Sequence, residues 1–149
     1  MFPLPKPMRI ALDAARAAAA EGEVPVGAVV MLGDEVVATA ANAPRRLCDP
    51  TAHAEMLAIR AAARTLGRER LEDCDLWVTL EPCAMCAGAI AHARLRRLYY
   101  GAGDAKGGAV EHGPRFFAQP TCHHRPELYP AIGMEESAAL LRGFFAARR

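Results

Sequence analysis

His53 and Glu55 stand two residues apart, and Cys83, thirty positions after His53, lies in the run Pro82-Cys83-Ala84-Met85-Cys86. One neutral imidazole and two thiolates make three ligands for a zinc ion. Structural zinc sites close with four protein ligands, whereas three leave one position open to water. Glu55 is the carboxylate able to move protons on and off that water. The pattern predicts a hydrolytic zinc centre, one ion per chain, with His53, Cys83 and Cys86 as ligands and Glu55 as proton carrier. A lone C-x-x-C would also suit a redox pair or half of a structural zinc knuckle, and a lone H-x-E means little. A purely structural site, however, has no use for a carboxylate at position 55.

Cys83 and Cys86 are three apart, so on a helix they share a face. In the first turn, unpaired backbone N–H groups and the helix dipole favour the thiolate form. His53 and Glu55 would point to nearly opposite sides of a helix. They converge on a metal only if it lies over the helix N-terminus, so two helix N-termini are expected to face one zinc.

The elements that must position these residues follow from periodicity and punctuation. Met8 to Glu21 reads as a helix, with Ile10, Ala14, Ala17 and Ala18 at helical spacing and Gly22 to stop it. Val26 to Leu32 reads as a buried strand, Gly33-Asp34 as a tight turn, and Glu35 to Ala40 as the returning strand. Residues 42–49 read as a loop. Asp49-Pro50-Thr51 then opens a helix, with Asp or Thr as cap and Pro in the first turn, running to Leu66 before Gly67. Asp75 to Leu80 is a third strand, feeding a helix from Cys83 to Ala93, with a fourth strand over Arg97 to Gly101. Residues 102–129 carry little pattern beyond one short strand near their end. Glu135 to Arg148 closes the chain as a helix. This order predicts an α/β fold, a mixed sheet covered by helices on both faces.

The 149 residues are expected to form one domain, with residues 1–7 a flexible, Pro-rich N-terminal segment. The net charge of +1 excludes a globally basic nucleic-acid binder, so any RNA contact must come from a local patch. All basic residues except Lys6 and Lys106 are arginine, which suits phosphate contact but equally a compositional bias. An odd number of cysteines without a repeating framework points to a reducing, cytoplasmic setting. No apolar run reaches the length of a membrane span. Cys48 reads as a small buried hydrophobe, Cys74 as a loop end, His92 as packed or solvated, and Cys122-His123-His124 as surface or hydrogen-bonding residues rather than a second metal site. The Cys83–Ala93 helix is apolar or small almost all round, which predicts a homodimer packed through it.

Four blocks resemble a known family. Glu23-Val24-Pro25-Val26-Gly27-Ala28-Val29, Asp49-Pro50-Thr51-Ala52-His53-Ala54-Glu55, Thr79-Leu80-Glu81-Pro82-Cys83-Ala84-Met85-Cys86-Ala87-Gly88-Ala89 and Gly101-Ala102-Gly103-Asp104-Ala105-Lys106 are similar to blocks of the bacterial tRNA-specific adenosine deaminases, in the cytidine deaminase-like superfamily. The H-x-E and P-C-x-x-C signature is that of zinc-dependent nucleobase deaminases generally. The resemblance implies a three-layer α/β/α sandwich around a five-stranded mixed sheet, a homodimer, and adenosine-to-inosine conversion at the wobble position of a tRNA anticodon stem-loop. It implies that His53, Cys83 and Cys86 hold Zn2+ and that Glu55 shuttles protons. Asn42 would hydrogen-bond the flipped base, Val26 would pack on it, and Ala54 and Pro82 would border it. Asp104 and Lys106 would lie in a loop bordering the RNA. Two stretches depart from the family pattern: Gly107 to Gly113, and His123-His124-Arg125 where the family often has Asn-His-Arg.

The same zinc motif also serves deaminases of free bases such as guanine or cytosine, or of nucleosides. Arg142, Arg148 and Arg149 with Phe144-Phe145 distinguish the two readings. They suit an RNA-contacting end, or else a solvated face with a core anchor.

Overall fold

The computed structural model describes residues 3–149; residues 1 and 2 of the expected flexible segment lie outside them. Helix α1 spans Lys6–Ala20, strand β1 Gly27–Leu32 and β2 Glu35–Ala41. Helix α2 spans Ala54–Leu66, β3 Cys74–Leu80, α3 Ala84–Ala93 and β4 Arg97–Ala102. A short 3-10 turn at Phe116–Ala118 precedes β5, Glu127–Tyr129, and α4, Met134–Ala146.

The strands form one five-stranded sheet in the order β2-β1-β3-β4-β5. β1 is antiparallel to β2 and β3, while β3, β4 and β5 run parallel. Alternate residues of the central strands face opposite layers. Ala28, Val30, Leu76, Val78, Leu98 and Tyr100 join Ala58, Ala62, Ile90 and Ala91 of α2 and α3 in the larger core. Val29, Met31 and Trp77 meet Met8, Leu12 and Leu140 of α1 and α4 on the other face. The architecture is the expected α/β/α sandwich with a mixed sheet.

Three expectations need correction. Lys6 and Pro7, assigned to a flexible segment, are already helical, because proline at the first turn loses no intrahelical hydrogen bond; Leu4 packs on the second core. The buried stripe of α1 is Met8, Ala11, Leu12, Ala15 and Ala18, not the phase through Ile10, Ala14 and Ala17. An alanine-rich helix carries too little contrast between faces to fix its rotation from sequence. Cys48 is exposed rather than buried, in a left-handed turn with φ 51°.

α1 lies directly on β1. A Cβ at Gly27 would sit 1.9 Å from the Ala11 carbonyl oxygen, so only glycine admits this approach. The Gly27 N–H is then satisfied by Thr79 Oγ1 at 3.1 Å on the neighbouring strand. At the far end, Ser137 Oγ accepts the Ala102 N–H at 2.9 Å and ties α4 to the end of β4. The parallel strands β3 and β4 therefore deliver their C-terminal ends, and the loops that follow, to one edge of the sandwich.

Candidate active site

Helices α2 and α3 begin on the metal-binding residues themselves. His53 is the N-cap of α2 and Cys83 the N-cap of α3, both with extended backbone. Their carbonyls accept the first helical bonds, from Leu57 at 3.0 Å and Ala87 at 2.8 Å. Asp49-Pro50-Thr51 does not cap α2. Asp49 Oδ1 instead takes the Thr51 N–H at 2.8 Å and the Thr51 hydroxyl at 2.7 Å, closing a local turn. The Ala54 N–H at the true helix start donates to Asn42 Oδ1 at 2.9 Å, a cap supplied from the end of the hairpin.

This placement brings the three ligand atoms together. His53 Nδ1 lies 3.6 Å from Cys83 Sγ and 3.6 Å from Cys86 Sγ, and all three donors fall within 4.8 Å of one another. A tetrahedral zinc with Zn–S of about 2.3 Å and Zn–N of about 2.0 Å sets sulfur and nitrogen roughly 3.5 Å apart. The donor set fits the metal in type and in spacing. It is the sole such cluster among the described residues. Cys122-His123-His124 is used otherwise: His124 Nε2 contacts the Leu95 carbonyl at 2.7 Å, and Cys122 Sγ donates to the His124 carbonyl at 3.1 Å.

The electrostatics suit a cation. Hydrogen bonds from Cys86 and His53 pull the Cys83 thiol down to about 4. Cys86 is pushed up by its bond to Cys83 and by burial, and the bond to Cys83 raises His53. A divalent cation held by the two sulfurs and the imidazole would favour the thiolate form of both cysteines. Glu55, 4% exposed, sits in the first turn of α2 beside this cluster. Burial raises its carboxyl to about 7, a range suited to proton transfer in either direction.

The other expected site residues lie at different depths. Ala54 is fully buried and Val26 is 4% exposed, both part of the main core. Asn42 Oδ1 is occupied by Ala54, which leaves its amide N–H groups to serve as donors. Pro82 is buried, and its carbonyl accepts the Ala109 N–H at 2.9 Å. Asp104 and Lys106 line a separate cleft of about 790 Å³ with Leu80, Phe145, Arg148 and Arg149. Asp104 Oδ1 accepts the N–H groups of Lys106 and Gly107 at 3.1 and 3.0 Å, fixing that turn.

Sequence reasoning did not single out the carboxylates that hold the loops. Glu23, 2% exposed, accepts the N–H groups of Arg45 and Arg46 at 3.2 and 2.7 Å and shapes the loop after β2. Glu81, also 2% exposed, does the same for residues 104–112. The one available signal was a charged residue wedged between a buried strand and a helix cap, opposite a glycine-rich stretch of free N–H donors.

The sandwich and its three-ligand centre define a zinc-dependent deaminase. The sequence model of the cytidine and deoxycytidylate deaminase zinc-binding region matches residues 4–102. The tRNA-specific adenosine deaminase of Agrobacterium fabrum is 57% identical over 95% of this chain and 93% of its own. That of Rickettsia bellii is 48% identical over 93% and 97%. A solved structure from work on A-to-I editing by tRNA:A34 deaminases at the wobble position of transfer RNA superposes with a TM-score of 0.89, at 57% identity over 91% of this chain and 98% of that one. The chain belongs to the tRNA-specific adenosine deaminase family.

Proposed function

We propose that residues 1–149 act as a single deaminase domain that converts adenosine to inosine at the wobble position of a tRNA anticodon stem-loop. The observation that carries this reading is the meeting of His53, Cys83 and Cys86 at tetrahedral spacing beside buried Glu55, in a chain that matches tRNA-specific adenosine deaminases over nearly its whole length. Zinc at this centre supplies Lewis acidity that makes water nucleophilic near neutral pH. Glu55 would take one proton from that water and pass it to the purine ring nitrogen, then take the second from the new C6 hydroxyl and pass it to the departing amino group, which leaves as ammonia. The purine C6–N bond breaks and a C6–O bond forms, so adenosine and water give inosine and ammonia. Asn42 offers its amide N–H donors to the flipped base, with Val26, Ala54 and Pro82 as the walls. An unpaired anticodon base is extruded at lower cost than one in a duplex.

The cleft carrying Asp104 and Lys106 supports contact with the flanking RNA. Its walls are apolar at Leu80 and Phe145 and cationic at Lys106, Arg148 and Arg149. Arg148 is also engaged within its own helix, its guanidinium 3.5 Å above the Phe144 ring and bonded to the Phe144 carbonyl at 3.2 Å. Lys106 and Arg149 are therefore the cleaner charge probes. Affinity for an anticodon stem-loop should fall with salt, with a log–log slope of roughly −0.7 per neutralised phosphate. Lys106→Gln and Arg149→Gln should each make that slope shallower by about 0.7. Unchanged slopes in both variants would place the RNA elsewhere.

The exposed side of α3 supports a homodimer. Ala84 and His92 are exposed, and Met85, Gly88 and Ala89 are half-buried, so apart from His92 small and apolar atoms face outward where a solvated helix would carry polar ones. Light scattering at micromolar concentration should give twice the chain mass; a monomer there contradicts the assignment. Among the described residues no helix is long and apolar enough to cross a membrane. None of the five cysteines is paired in a disulfide. Both features support action in the cytoplasm, and fractionation that placed the protein in a membrane pellet would count against it.

A further inference from the structure

Residues 103–112 contain no helix or strand, yet their path is closely determined. Five contacts from this one segment converge on the carboxylate of Glu81. Its Oε2 accepts the N–H groups of Val110, Glu111 and His112 at 3.0, 2.9 and 3.1 Å. Its Oε1 accepts the Asp104 N–H at 2.9 Å and lies 2.6 Å from His112 Nδ1. An ionised carboxylate only accepts, so Nδ1 carries the proton in this contact. Gly108 passes so close that a Cβ there would lie 2.5 Å from Glu81 Oε2. The adjoining Pro82 carbonyl takes the Ala109 N–H, so the segment is sewn to Glu81-Pro82 along its length.

Glu81 and Pro82 are also the two residues that precede zinc ligand Cys83. The strand-to-helix turn that delivers the ligand is thus the turn around which the Asp104–Lys106 loop is folded. The backbone donors would be present with many residues at position 112. The imidazole is the one side-chain donor on this carboxylate, and it is half-exposed while Glu81 is not. A hydrogen bond to a buried charged group is among the stronger ones a side chain can contribute.

We propose that Glu81 and His112 are a positioning pair for RNA binding: together they hold residues 103–112 in the shape that presents Asp104 and Lys106 to the cleft they line with Leu80, Phe145 and Arg149. Neither residue touches the reacting atoms. The proposal rests on the tRNA reading above for its substrate, and on the loop geometry alone for its structural half.

The test uses zinc-loaded full-length protein and two variants at one position. His112→Leu removes the donor at similar bulk. His112→Asn keeps one, since its side-chain N–H can stand where Nδ1 stood. In His112→Leu the amides of residues 104 and 110–112 should exchange with solvent about tenfold faster, the size expected from losing one hydrogen bond to a charged group. Its KM for an anticodon stem-loop should rise by about tenfold, with kcat within about threefold and zinc content unchanged. His112→Asn should restore both exchange and KM. Unchanged exchange and KM in His112→Leu overturn the proposal, as does a fall in kcat at constant KM. A wild-type enzyme inert on the stem-loop overturns the tRNA reading instead, and amide exchange then decides by itself whether the pair holds the loop.

Discussion

Glu55→Ala is expected to keep one zinc per chain and the native fold while losing nearly all turnover. The carboxyl is buried and raised to about 7 by that burial, and it makes no ion pair that the fold depends on. Removing a buried ionisable group relieves a desolvation cost rather than exposing a partner. The chemistry has no substitute for it. In the proposed mechanism both proton relays of deamination pass through this one side chain, and a positioned acid–base group contributes about 10²–10⁴-fold for a single transfer. Glu55→Gln should lose as much, because it keeps the shape and cannot carry the proton. Activity within about tenfold of wild type, a cost of only ~1.4 kcal/mol, would remove Glu55 from the proton path. Metal analysis on the same samples separates this outcome from loss of zinc.

Cys83→Ala and Cys86→Ala should each release the metal. Three protein ligands are the minimum this centre offers, and losing one thiolate removes both a bond and a neutralising charge. Loss of a mere outer-shell partner typically lowers metal affinity by roughly 10–100-fold, and loss of a ligand should cost more. Cys86 is fully buried, so Cys86→Ser is the companion that preserves volume while replacing the thiolate. After dialysis against a chelator, zinc per chain should drop from one to near zero in all three variants. Full occupancy in the alanine variants contradicts the ligand assignment.

The zinc motif was legible because its chemistry restricts residue type at short spacing, and His53, Cys83 and Cys86 do converge. Periodicity located β1 to β4 and the four α-helices to within a few residues, and Gly33 and Gly67 stand in left-handed turns where they read as breaks. Asp49-Pro50-Thr51 carries a local capping signature, yet α2 starts at Ala54. The cap that prevails comes from Asn42, on another element, and from the placement of His53. Alanine repetition hid the phase of α1. Residues 102–129 were opaque for a different reason: their order is imposed by Glu81, Pro82 and other distant partners, and no short-range pattern encodes that. Cys48 faces solvent because the turn at residues 45–49 is folded around Glu23, beyond the reach of any local rule.

The most direct test of the account is nucleoside analysis of an anticodon stem-loop after incubation with purified, zinc-loaded protein, run beside free guanine, cytosine and adenosine. Inosine should appear at the wobble position, the free base and nucleoside controls should remain unchanged, and Glu55→Ala should leave the RNA as adenosine. A stem-loop left untouched while a free base or nucleoside is deaminated would contradict the account and make the enzyme a small-molecule deaminase.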